Sequence, residues 1–161
     1  VLPDSRALPQ VSVVAGLAVC EALASLAPNR PVGLKWPNDV LLGRRKVCGI
    51  LVESPARPPD RLVIGIGINV NNSCAEAPED VRQRAASLAD ATGRPWALTD
   101  VLIRVLRALE QQLASLKAGR VRLSEACRPW CVLTSRTVVI VYLLTTVKEV
   151  NAPASQRTPE A

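Results

Sequence analysis

The stretch VGLKWPNDVLLGRRKVCGILVE, Val32–Glu53, decides how this chain is read. It holds three aliphatic runs separated by two sets of turn formers, Pro37-Asn38-Asp39 and Gly43-Arg44-Arg45. Short aliphatic runs bounded by Pro, Asn, Asp and Gly mark strands joined by tight turns. The expectation is a β-meander, with strands Val32–Trp36, Val40–Leu42 and Lys46–Glu53. The residues between the runs are not ones a buried strand requires. Lys35, Asn38, Asp39, Arg44, Arg45 and Lys46 crowd cations, an amide and a carboxylate around one hairpin.

Upstream, Val11, Val14, Ala15, Ala18, Val19, Ala22, Leu23 and Leu26 recur at helical spacing and predict an amphipathic helix over Pro9–Leu26. Downstream, the proline-rich Ser54–Asp60 reads as a loop, and Arg61–Val70 as a strand interrupted by Gly65 and Gly67. Asn71–Pro78 is a loop, and Glu79–Thr92 a helix stopped by Gly93. Thr99 is expected to cap the next helix. Leu102, Val105, Leu106, Leu109, Leu113 and Leu116 form its buried stripe, and Arg104, Arg107 and Lys117 point outward. A further helix over Val121–Trp130, a late strand Thr137–Leu144 and a disordered Asn151–Ala161 complete the reading. This order predicts an α+β fold, with a mostly antiparallel sheet and flanking helices.

The 161 residues suffice for one domain with a real core and a small appendage. Aromatics make up only 2%, so the core must be built from Leu, Val, Ile and Ala. The formal net charge is +6, but the charges are spread without a basic block or interleaved aromatics, so no nucleic-acid partner is expected. Histidine is absent, which excludes Ser-His-Asp and Cys-His nucleophiles and any His-ligated metal. Chemistry is left to Lys, Arg, Asp, Asn, backbone amides and a hard metal ion. The five cysteines are odd in number and lack a CxxC spacing, which favours reduced thiols in a cytoplasmic protein over a disulfide or zinc framework. No leader sequence is read, and runs such as Val138–Leu144 are too short to span a bilayer, so no membrane association is expected. The lack of Met, even at position 1, suggests a fragment, a processed chain or an unusual start codon.

Two clusters could carry chemistry. Of four lysines, Lys35 and Lys46 flank one hairpin, and with Arg44 and Arg45 they could hold phosphate or carboxylate; singly, each is an ordinary solvated strand-end charge. Asn38 and Asp39 are ordinary turn formers, or else Asp39 positions Mg²⁺ on a triphosphate while Asn38 orients a polar ligand group. In VIGIGINVN, Val63–Asn71, Gly65 and Gly67 present bare backbone to one face, where a flat ligand could lie. Asn69 shares that face and offers an amide able to donate and accept, as an adenine edge requires. The plain alternative is a β-bulge with a close helix crossing, and the spacing is not that of a dinucleotide fold.

KWPNDV at Lys35–Val40, RRKVCGILVE at Arg44–Glu53 and GIGINVN at Gly65–Asn71 occur in this order and at close spacing. Together they resemble the catalytic domain of biotin protein ligases, over about Pro9–Leu133. The resemblance implies a fold related to class II aminoacyl-tRNA synthetases and ATP-dependent activation of biotin to biotinyl-adenylate. The biotinyl group would then pass to a lysine of a biotin carboxyl-carrier protein. Lys46 and Lys35 would be the catalytic cations, with Lys46 facing the biotin carboxylate and the α-phosphate. Lys35, Asn38 and Asp39 would lie on the ATP side, Asp39 toward Mg²⁺. Gly49, Leu51, Gly65 and Gly67 would line the biotin channel, and Asn69 would meet the adenine. Residues 1–133 would be a partial catalytic domain without the family's N-terminal Gly/Arg-rich loop. Residues 134–147 would start a small SH3-like C-terminal domain, and 148–161 would be a disordered tail. No helix-turn-helix is read, and a homodimer stays open. Two other functions remain: a non-catalytic binding scaffold, and a ligase for another small carboxylic acid such as lipoate.

Overall fold

Helix α1, Leu8–Leu26, is the centre of the core in the computed structural model, which describes residues 8–54, 62–120 and 122–132. Val11, Val14, Leu17, Val19 and Leu23 are each at most 1% exposed, so the helix is apolar on nearly every side because nearly every side is covered. It packs on the sheet and on a later helix. By length and composition α1 could cross a bilayer, but most of it lies inside the protein.

Four strands follow: β1 (Val32–Lys35), β2 (Asp39–Leu42), β3 (Arg45–Glu53) and β4 (Val63–Ile68), hydrogen-bonded antiparallel in that order. The predicted meander is present, with boundaries shifted by one or two residues. Gly43 adopts φ +66° in the β2–β3 turn, a conformation that favours glycine, and the Trp36–Pro37 peptide is cis. Two neighbouring rows of cross-strand partners fix the two faces of the sheet. The row Leu34, Val40, Cys48, Ile68 lies toward α1, and Leu34, Val40 and Cys48 are at most 2% exposed. The adjacent row is Lys35, Asp39, Gly49, Gly67, on the opposite face.

A bulge separates Val40 from Leu41 in the β2–β3 register, so that Val40 pairs with Cys48 but Leu41 with Lys46. Val47 is the extra residue, and it is fully buried. Lys46 and Gly49 are three residues apart and would face opposite ways in a regular strand. The bulge puts them on the same face.

The predicted helix Glu79–Thr92 is two helices, α2 (Glu79–Arg84) and α3 (Leu88–Thr92). Between them Ala85 is extended and bridges Lys46, the Ala86 amide donates to the Lys46 carbonyl at 2.8 Å, and Ser87 caps α3 by accepting from the Asp90 amide. Docking onto β3 thus overrides helical propensity. Gly93 ends α3 in the left-handed region, as expected.

Helix α4 spans Leu98–Lys117, with Ala97 and not Thr99 in the capping position. The predicted stripe is also shifted: Val101 and Val105 are buried, whereas Leu102 and Leu106 are more than half exposed. The main partner of α4 is α1, to which Gln112 also donates at Glu21 Oε1 (2.6 Å), so only a narrow line of the helix is covered. The last predicted helix shortens to α5, Leu123–Ala126. After it, the chain returns beside β1, where the Leu34 amide donates to the Trp130 carbonyl at 2.7 Å. The late strand, the start of an SH3-like domain and the tail lie outside the described residues.

Candidate functional site

The face of the sheet away from α1 carries no described helix over its centre, and it collects most of the residues singled out from the sequence. Lys35 and Asp39 are direct cross-strand partners, Asp39 pairs on with Gly49, and Gly49 with Gly67. Lys35 therefore shares its face with Asp39 and the two glycines. Lys46 joins them through the bulge. Its Nζ lies 2.5 Å from Asp39 Oδ1, and the Lys46 side chain is about half exposed.

The glycines act as a floor. A Cβ at Gly49 would lie 3.2 Å from both Cε and Nζ of Lys46, so the lysine crosses directly above the bare backbone. Gly65 is the partner of Leu51, whose side chain is 59% exposed beside the glycines. Gly33 also belongs to this face by register, but a Cβ there would run into Val132, so the returning chain covers it.

A cleft of about 540 Å³ opens where β3 and β4 meet α2. That volume lies within the roughly 300–1,000 Å³ typical of small-molecule sites. Its walls include Lys46, Gly49, Gly67 and Asn69 from the sheet, and Asp80, Val81 and Arg84 from α2. Lys35, Asn38, Asp39, Leu51 and Gly65 do not line this cleft. They border it on the same sheet or belong to its frame.

Two of the predicted ligand residues are committed to the fold. Asn38 Nδ2 donates to the Ile50 carbonyl at 3.1 Å, while the Ile50 amide donates to the Asn38 carbonyl at 2.9 Å. Asn38 therefore fastens the β1–β2 turn to β3. Asn69 Nδ2 donates to the Ala86 carbonyl at 3.1 Å, and its own carbonyl accepts from the Leu88 amide. One N–H of its side-chain amide thus holds the α2–α3 joint against the end of β4. Of the two arginines in the hairpin turn, Arg45 reaches the Arg82 carbonyl at 3.5 Å, away from the glycine floor, and neither lines the cleft.

No local motif points to the α2 wall. Asp80 and Arg84 look like ordinary charges on a short polar helix, and only the docking of Ala85–Ala86 on β3 brings them to the cleft. Cys48 also lines it, but burial pushes its thiol up to about 12 against the opposing pull of Lys46, so it stays protonated and is no nucleophile at neutral pH. None of the five cysteines forms a disulfide. Among the described residues no three of Cys, Asp and Glu gather as a metal site.

Residues 3–69, which contain the meander, the bulge and the glycine strand, match the Biotin/lipoate A/B protein ligase family. A biotin--[acetyl-CoA-carboxylase] ligase of Mycobacterium tuberculosis is 41% identical over 105 residues, 64% of this chain and 37% of its own. The bifunctional ligase/repressor BirA of Bacillus spizizenii is 35% identical over 107 residues, 65% of this chain and 32% of its own. The biotin protein ligase of Aquifex aeolicus, solved in complex with biotin and ATP, superposes with a TM-score of 0.61 at 41% identity, over 69% of this chain and 45% of that one. The chain thus spans about a third of the curated relatives and less than half of the solved ligase. The shared part of the biotin/lipoate ligase fold includes the sheet that carries the glycine floor.

Proposed function

We propose that this chain forms the nucleotide-facing wall and the floor of a biotin protein ligase site, which activates biotin with ATP and passes it to a carrier lysine. The observation that carries this reading is Lys46 lying across Gly49 at the mouth of the cleft, on the same face as Lys35. The likeness to a ligase solved with biotin and ATP supports it.

The chemistry suits a chain without histidine. A carboxylate is already nucleophilic, so no general base is needed for its attack on the α-phosphorus. What opposes the reaction is bringing two anions together and the charge that builds on the phosphoryl oxygens. Lys46 would balance both at the point where they meet, and Lys35 would contribute from across the sheet. The bare backbone of Gly49, Gly65 and Gly67 would let a flat ring lie against the strands, with Leu51 as an apolar edge. In the second step the AMP group leaves readily from the mixed anhydride, so an incoming lysine amine needs little beyond orientation.

Magnesium would arrive with the nucleotide phosphates, since it needs only one or two protein carboxylates. Asp39 fits that demand if it releases Lys46, and Asp80 is the carboxylate lining the cleft. The ion would supply charge neutralisation on the phosphates. We assign the acceptor role to a biotin carboxyl-carrier protein, and cysteines that form no disulfide support a cytoplasmic setting.

The test is biotin-dependent exchange of pyrophosphate into ATP. Exchange that requires biotin, and that falls when lipoate replaces it, is the expected result. Exchange driven equally by lipoate would favour the other acid ligase, and ATP binding without exchange would favour the scaffold.

A further inference from the structure

We infer that Gly49 and Asp39 are positioning residues for Lys46. Gly49 gives the lysine a track, and Asp39 is its resting partner, which an anion entering the cleft must replace. The inference deepens the proposed function and rests on it for the identity of that anion.

Three observations meet here. The Lys46 ammonium is in contact with Asp39 Oδ1 at 2.5 Å. Its path crosses Gly49 so closely that a methyl group there would sit 3.2 Å from both Cε and Nζ. Lys46 nevertheless lines the cleft, while Asp39 does not. Lys46 therefore pairs with the protein's own carboxylate while bordering the cavity. The pair is partly exposed, with 48% of the lysine side chain and 22% of the aspartate open to solvent. Exposed ion pairs are weak, so this one orients the lysine without locking it. An anion with two or more charged oxygens can outcompete a single carboxylate for it.

The bulge gives the arrangement its specificity. Were residues 46–49 in regular alternation, with Val47 paired instead of bulged, Lys46 would point to the α1 face and reach neither Gly49 nor Asp39. Any side chain at 49 would lift the amine from its track. Because the displaced atoms are the end of a flexible side chain, the substitution moves Lys46 without disturbing the packed face.

The experiment is residue-resolved amine labelling of the full chain with trinitrobenzenesulfonate, read by mass spectrometry. The chain has only four lysines, so each rate is separable, and Lys117 at the end of α4 is the internal reference. In the unmodified protein Lys46 should react more slowly than Lys117. Asp39→Asn and Gly49→Ala should each speed Lys46 by about two- to five-fold, the range expected for loss of a weak ion pair, with Lys117 unchanged. Asp39→Glu, which keeps a carboxylate within reach, should restore the slow rate. Circular dichroism checks that each variant is folded. Folded Asp39→Asn and Gly49→Ala proteins with an unchanged Lys46 rate would overturn the inference. A separate arm adds biotin and ATP to the unmodified protein. Failure to protect Lys46 there, with the variant effects intact, would count against the proposed ligands while leaving the resting arrangement supported.

Discussion

Two rows of residues cross the sheet one position apart, and they differ in almost everything but their hydrogen bonds. Leu34, Val40, Cys48 and Ile68 face α1, the first three almost completely buried. Lys35, Asp39, Gly49 and Gly67 face away from it and hold the carboxylate that pairs with Lys46, a bare floor and the edge of a cleft. The backbone ladder is common to both rows, so the ladder does not decide which face binds. Burial specifies the fold on one side, and on the other the described residues leave room for chemistry.

This contrast predicts that substitutions on the two faces fail differently. Leu34→Ala, on the packed side against Gly16 of α1, should cost about 2–5 kcal/mol of stability in urea unfolding, from lost burial plus the cavity left behind. Lys46→Ala should leave stability within about 0.5 kcal/mol but lower biotin-dependent pyrophosphate exchange by about 10²–10³-fold. If Lys46→Ala unfolds the protein, or if exchange survives it, the two-face division fails. Asn38→Ala sits between the faces. It should cost about 1–3 kcal/mol by leaving the Ile50 carbonyl short of a donor, with little effect on ligand affinity once the protein is folded.

The smallest effect at neutral pH belongs to the buried thiols. Burial raises Cys20 and Cys48 from 9.0 to about 12. The folded protein therefore holds protons that the unfolded chain has released, and stability should be full below pH 9 and fall as pH rises through 9 toward 12. Thermal unfolding across that range, with Cys20→Ala as the control, reads the slope. A flat profile would mean that the packed face is wetter than the structure shows.

Much of this architecture is legible in the residues themselves. Pro37-Asn38-Asp39 and Gly43 announce two turns, the aliphatic runs announce strands, and the spacing of Val11 through Leu26 announces the central helix. Gly65 and Gly67 signal a bare strand surface before any coordinates do. The rest depends on tertiary contacts. The bulge at Val47 has no local marker, yet it turns Lys46 to the open face. The break at Ala85 follows from a bridge to Lys46, 39 positions earlier in sequence, so helix propensity alone runs α2 and α3 together. The exposed Leu102 and Leu106 follow from α4 having α1 as its main cover, which periodicity cannot reveal. For the same reason the backbone partners of the Asn38 and Asn69 amides are not legible in the sequence.

The most direct test of the open face is to follow the eight glycine amides by nuclear magnetic resonance during titration with biotin and ATP. Gly49, Gly65 and Gly67 should shift together and saturate at one ligand ratio, while Gly93 and Gly119, beyond the ends of α3 and α4, stay in place. Saturable shifts at Gly93 or Gly119 with the three floor glycines unmoved would place the ligands elsewhere and contradict the account.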